Sequence, residues 1–265
     1  MRIFKILDED DERELGILLY FEKEGSFIVE LKDGLDEWSA PFLFAPYVKK
    51  GVFTIPRSDS LVWVQNRIIP PSRQNIGMIL KNHGLKEYDE MKFLELSEGK
   101  CSQDSLYIKP VKEFPEYVRR RQRHNITQCV ILTDKDLLCM FADETVRKIN
   151  LSSLAEIKDV DKIMNNEALF ETCRVGAAGY FITFNNSIDI PAGVLYKKGK
   201  KLPLTGKELL AFVRNGLVDT TQACGILDCS RQNLLYMLRQ GYITPVKEDV
   251  KGNLYFKGDV VKNLW

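Results

Sequence analysis

Histidine is almost missing from this chain of 265 residues, and the two that exist, His83 and His124, have no nucleophile or carboxylate partner close by in sequence. Ser-His-Asp and Cys-His catalysis therefore find no support. Also missing are HExxH, GxSxG, a P-loop and a dinucleotide fingerprint; the GAAG at 176–179 lies between expected strands rather than at a helix start, which suits a turn. No apolar run approaches the length of a membrane span. The opening MRIFKILDEDDERELG has neither the apolar core of a signal peptide nor an Arg- and Ser-rich transit pattern, so the sequence predicts a cytoplasmic protein with no membrane partner. The cysteines, Cys101, Cys129, Cys139, Cys173, Cys224 and Cys229, include no CxxC pair and read as single buried thiols acting as small hydrophobes. Cys224 and Cys229 have no histidine near them. No metal site, no cofactor and no enzyme activity is expected. Acidic pairs such as Asp159 and Asp161 are common on surfaces, and a metal-dependent nuclease would need carboxylates that converge in space.

An excess of charge is lacking too. Lys and Arg outnumber Asp and Glu by 38 to 37, so attraction to a polyanion has to come from a local patch. What is plentiful is apolar residues, at 45%, enough to bury real cores in two or three domains. The fold class predicted is α+β: two small mixed α/β domains at 1–111 and 126–198, a basic linker at 112–125 between them, and a winged helix-turn-helix at 203–265.

In the first domain LGILLYF, SFIVEL, GVFTI and SLVWVQNRII read as strands. RQNIGMILKNHGL reads as a helix with Ile76, Ile79 and Leu80 on one side and Gly84 as terminator, followed by DEMKFLELSEG and a strand SLYIKPV. The linker crowds Arg119, Arg120, Arg121 and Arg123 beside Phe114 and Tyr117, a set that can clamp phosphates and equally suits a solvated connector. In the second domain CVILT, LLCMFA and TVRKINL read as strands, DKIMNNEALFETC as one helix, and RVGAAGYFITF and SIDIPAGVLY as further elements. KKGKKLPLT, with Lys197, Lys198, Lys200 and Lys201, reads as a connector into the last domain.

The last sixty residues carry the most specific pattern. Ala223, Ile226 and Leu227 form an apolar stripe on one short helix, and Leu234, Leu235 and Leu238 form one on the next. Ser230 stands where an N-cap is wanted and Gly241 where a left-handed C-cap is wanted. Packing leaves over Arg231, Gln232, Asn233, Tyr236 and Arg239, whose side chains can fork onto base edges or hold phosphate. Beyond them, VKEDVKGNLYF turns at Lys251-Gly252-Asn253 and reads as a hairpin wing, along which Lys247, Lys251 and Lys257 suit the DNA backbone and Asn253 joins the contact set. From Thr205 onward there are eight Lys or Arg against six Asp or Glu, weaker than a solitary DNA-binding domain calls for, so a homodimer or the basic linker has to help.

These residues carry three resemblances. The LRQGYITP stretch between second helix and hairpin resembles the winged helix-turn-helix domains of the MerR and excisionase type. LTDKDLLCMFADETVRKINLSSLAE, ALFETCRV and GYFITFNNSIDIPAGVLY together resemble the bacterial domain of unknown function 2442 over about 126–196, with Asp143, Arg147, Asp189 and Tyr196 at motif positions and Glu144 where that family carries glycine. WVQNRIIPPSRQNIGMILKNHGLKEYDEMKFLELSEGKCSQDSLYIKP is distantly similar to the amino-terminal region of HipA-type proteins; the glycine-rich loop and catalytic loop of the kinase body are absent, so phosphoryl transfer is not implied. Together they imply a transcriptional regulator that binds double-stranded DNA, in a toxin-antitoxin or phage-defence setting. The alternative is a protein-interaction module, such as an antitoxin sequestering a partner, without DNA affinity of its own.

Overall fold

The computed structural model describes residues 1–247, 254–256 and 260. It is a mixed α/β chain built on several antiparallel sheets. The first is a meander of β1 (Arg2–Asp8), β2 (Glu14–Phe21) and β3 (Ser26–Leu31). β3 is buried at every position, so the sheet is covered on both faces and the usual in-out alternation disappears. A crossing segment carries α1 (Ala45–Lys49), β4 (Thr54–Ile55) and α2 (Arg57–Gln65).

Here the sequence misleads. SLVWVQNRII is rich in β-formers and predicts a strand, yet it folds mainly as α2, because Ser60, Trp63 and Val64 fall on one helical face against the sheet. The Ser60 hydroxyl fixes the contact, accepting from the Val29 N–H at 2.9 Å and donating to the Ile55 carbonyl at 3.2 Å. α3 (Ile76–Asn82) has no buried residue: Ile76, Ile79 and Leu80 do share a side, but it is only half covered. α4 (Glu90–Leu96), capped by Asp89, leads to β5 (Leu106–Val111), which pairs with β1 and completes the order β4-β3-β2-β1-β5.

The expected linker at 112–125 is also corrected. It contains α5 (Glu116–Gln122), whose Val118 is fully buried in a cluster with Ile3, Ile17, Leu19 and Ile28 of the first sheet and Ala177, Tyr180 and Phe181 of the second unit. The two units thus share an apolar core through α5.

The second unit begins with the meander β6 (Ile126–Ile131), β7 (Asp136–Phe141) and β8 (Thr145–Asn150). In the β7–β8 turn Glu144 has φ 67°, so the glycine-type backbone persists without glycine. The predicted single helix over 161–173 is two, α6 (Val160–Met164) and α7 (Glu167–Glu171), because the Asn166 side chain accepts from the Leu169 N–H at 3.1 Å and starts a new helix. β9 (Arg174–Val175), β10 (Phe181–Phe184) and β11 (Ile188–Pro191) make a second sheet. The turn between β9 and β10 needs Gly179, which has φ 75° and passes so near β6 that an added Cβ would lie 2.0 Å from the Ile126 carbonyl oxygen. AGVLY then forms α8 (Ala192–Lys198).

KKGKKLPLT is not a free connector. Residues Lys200–Thr205 are β12, which hydrogen-bonds to β8 and forms the outer strand of the order β12-β8-β7-β6. The chain continues without a gap into α9 (Gly206–Gly216), started by a reciprocal Thr205 and Glu208 capping box. The Gly206 N–H donates to the Glu144 carbonyl at 2.9 Å, and Lys207 pairs with the Glu144 carboxylate. β13 (Leu217–Asp219), α10 (Thr220–Leu227), α11 (Arg231–Arg239) and β14 (Leu254–Phe256) complete the described elements.

Candidate nucleic-acid interface

Local chemistry fixes the geometry of α10 and α11. Asp219 starts α10 by accepting from the Gln222 N–H at 2.7 Å, and Gln222 returns the bond to the Asp219 N–H at 3.1 Å. The helix stops at Asp228, which takes a left-handed conformation with φ 47°. Two residues later Ser230 restarts it, its hydroxyl accepting from the Asn233 N–H at 3.2 Å. At the far end Gly241, with φ 74°, donates to Leu238 and Tyr242 donates to Met237, a Schellman closure. Both predicted caps are therefore in place.

Ala223, Leu234, Val218, Ile243, Tyr255 and Val260 form the buried centre of this unit, with Ile226, Leu227, Met237 and Leu238 packed around it. Leu235 corrects the predicted stripe: it is 47% exposed, and Met237 takes the packing role assigned to it. Helical spacing explains why. Leu234, Met237 and Leu238 share the inner face, whereas Gln232, Leu235, Tyr236 and Arg239 run along the outer one at intervals of three and four. Arg231, Gln232, Asn233, Tyr236 and Arg239 are all exposed, with Tyr236 at 55%. A terminal guanidinium nitrogen of Arg231 donates to the Thr221 hydroxyl at 3.2 Å, which ties the tip of that side chain to the start of α10. Among the described residues, the Gln232, Tyr236 and Arg239 side chains have no hydrogen-bonding partner within the chain.

β13 and β14 pair antiparallel, Val218 opposite Tyr255, and the chain at Val246 and Lys247 bridges back to Leu254. Lys247 is exposed beside this ribbon. The predicted contacts Lys251, Asn253 and Lys257 lie outside the described residues.

The arginine cluster does not form one surface. Arg121 points inward, its side chain 17% exposed, and bonds the fully buried Glu30 carboxylate at 2.6 Å, Asp33 at 2.5 Å and the Leu31 carbonyl at 2.7 Å, between the Phe53 and Tyr117 rings. That guanidinium is committed to the fold and is not available to phosphate. Arg120 pairs with Asp33, and Arg119 approaches Glu113 at 3.6 Å. Arg123 is exposed and acts through its carbonyl, which accepts from Asp143 at 2.8 Å.

The motif-position polar residues of the second unit meet in two places that spacing could not reveal. Tyr196 donates to Asp143 at 2.7 Å while its ring stacks on His124 at 3.9 Å and lies 3.9 Å from the Arg147 guanidinium. Burial raises the Asp143 carboxyl, but the bonds from Tyr196 and Thr145 overcome it and hold the pKa below its ordinary value. Asp189 instead receives both forks of Arg57 from the first unit. Three cysteines also converge: Cys129 Sγ lies 3.5 Å from Cys139 and 4.0 Å from Cys173. Among the described residues, no three of His, Cys, Asp and Glu come together in a way that could hold a metal ion, and no helix is long and apolar enough to cross a membrane.

No family model, curated protein or solved structure matches the chain.

Proposed function

We propose that this protein is a DNA-binding regulator of transcription in which α10, α11 and the β13–β14 ribbon work as a winged helix-turn-helix and α11 lies in the major groove. The observation that carries the reading is the outer face of α11, where Gln232, Leu235, Tyr236 and Arg239 stand uncovered with Arg231 and Asn233 at the leading end. A helix that merely braced the fold would turn apolar or ion-paired groups to its neighbours. This one offers forked donors suited to guanine and adenine edges. Leu235, which the sequence pattern assigns to the core, supplies an apolar contact of the kind that reads a thymine methyl.

Lys247 beside the ribbon contributes backbone affinity, and a two-fold dimer doubles the small positive charge of each copy. Half-sites then lie about one helical turn, roughly 34 Å, or a multiple of that apart. In this reading the two preceding units sense or assemble, and the chain performs no catalysis.

The test is a mobility shift at low salt on the DNA upstream of the protein's own coding sequence, for the parent and for a variant carrying Arg231→Ala and Arg239→Ala. Each base contact of this kind carries about 1–3 kcal/mol, so the double variant should bind at least tenfold more weakly with an unchanged melting temperature. Failure of the parent to bind any duplex at low salt would reject the proposal. The protein-interaction reading is favoured by one observation, the exposed Leu235 and Tyr236 pair, and predicts that these two residues and not the arginines govern the capture of a protein partner.

A further inference from the structure

A cavity of about 400 Å³ lies where the first unit meets the second, a volume within the range of small-molecule sites. One wall comes from Tyr47, Val52, Phe53 and Pro56, all half-buried, and another comes from α8. Helical spacing fixes which face of α8 is involved. Ala192 and Leu195 are buried in the core of the second unit, so Gly193, Val194 and Lys197 share the opposite face, and all three line the cavity.

Gly193 is the informative residue of that face. Glycine is a poor helix former, and a left-handed backbone or a crowded neighbour is the usual reason to find it. Neither applies here. Gly193 is not among the glycines with positive φ, and a Cβ added to it would meet no atom within 4 Å. What the missing side chain leaves is a bare, flat stretch of backbone in a cavity that also holds the Tyr47 and Phe53 rings. Such surfaces suit a flat aromatic body.

Charge narrows the choice further. The lining contains no aspartate or glutamate, and its cations are Arg121 and Lys197, beside the His124 imidazole. Arg121 is already neutralised by Glu30 and Asp33. Lys197 is exposed, and among the described residues its ammonium has no ion pair or hydrogen bond within the chain. One unpaired positive charge beside apolar walls selects an occupant with one negative charge and an apolar body.

We propose that this cavity binds a small aromatic monocarboxylic acid, its ring lying along the Gly193 backbone and its carboxylate accepting from the Lys197 ammonium. The site shares no residue with α10, α11 or the ribbon, so it stands apart from the DNA-reading proposal.

The test uses the full chain, titrated by calorimetry with 2-naphthoate and with its uncharged counterpart, 2-naphthalenemethanol. Naphthoate should bind saturably and roughly five- to tenfold more tightly than the alcohol, the margin expected of one charge-assisted hydrogen bond in a site still open to water. Lys197→Gln should erase that margin and leave the melting temperature unchanged, because the lysine is exposed. Gly193→Leu should fill the cavity and remove binding of both compounds without lowering the melting temperature, since leucine suits a helix better than glycine. The proposal is overturned if naphthoate fails to bind up to its solubility limit, if the alcohol binds as tightly, or if Lys197→Gln keeps the preference. A folded Gly193→Leu protein that still binds naphthoate would place the compound elsewhere and overturn it equally; should that variant not fold, the Lys197→Gln comparison decides.

Discussion

Arg57 and Asp189, separated by 132 positions, are joined by two parallel hydrogen bonds of 2.8 and 2.9 Å that tie the first unit to the second. The same guanidinium lies 4.8 Å from the centre of the Phe181 ring, and Asn186 gives it a carbonyl at 3.0 Å. Both side chains are about one-fifth exposed, so solvent screens the pair only in part. Asp189→Asn keeps the shape and removes the charge; urea denaturation should show a loss of about 1.5–3 kcal/mol. A change within about 0.5 kcal/mol would mean the fork adds nothing to the joint.

Arg121→Ala should cost more. It strands the Glu30 carboxylate where no solvent reaches, and removing one member of a buried pair costs about 3–5 kcal/mol. Glu30→Gln in the same background should recover part of the loss, since no buried charge then remains. The pH dependence has a definite sign. Burial raises the Glu30 pKa, with Arg121 opposing it, and without Arg121 the folded value climbs further above the unfolded one. The stability of the Arg121→Ala protein should then be best preserved below the unfolded glutamate pKa and fall as pH rises through the folded value. Melting curves across mildly acid pH check this; a flat difference from the parent would contradict it.

Asp143 should behave in the opposite way. Its carboxyl is lowered, so its contribution is present above the ordinary aspartate value of 3.8 and is lost as pH falls through the lowered one. Tyr196→Phe removes a 2.7 Å donor and should bring the pKa back up. Titration of the Asp143 carboxyl carbon by NMR in both proteins reads the shift, and identical curves would rule out the tyrosine as its cause.

The converging thiols should be slow to react. The contact with Cys139 raises the Cys129 thiol, and the contact with Cys129 raises Cys173. Mass spectrometry after brief alkylation of the native protein should find these two and the fully buried Cys139 unmodified, and all three labelled in denaturant. Labelling of Cys129 at the rate of an exposed thiol would show that the second unit opens readily.

What the sequence makes legible is local. Ser230, Gly241 and the periodicity around Leu234 act within a few residues, so their caps and their face can be read directly. Leu235 defeats the pattern because a run of leucines leaves the inner face ambiguous by one position, and tertiary packing chooses Met237. α2 resembles a strand because its Val and Trp content reflects burial against a sheet, which helices and strands share. The pairing of Arg121 with Glu30, the stacking of Tyr196 on His124 and the meeting of Cys129 with Cys173 all depend on contacts across 44 to 91 positions, which no spacing rule encodes. Basic character likewise says nothing about direction: the same arginine run sends one side chain into the core and others to the surface.

The strand at Lys200–Thr205 has a mechanical consequence. Because it is stitched to β8 and passes directly into a capped helix anchored at Glu144, the proposed reading head is mounted on the body as a bracket rather than hung from a tether. Any tilt of that sheet edge is handed on to the start of α9, which Gly206 and Lys207 fasten to Glu144.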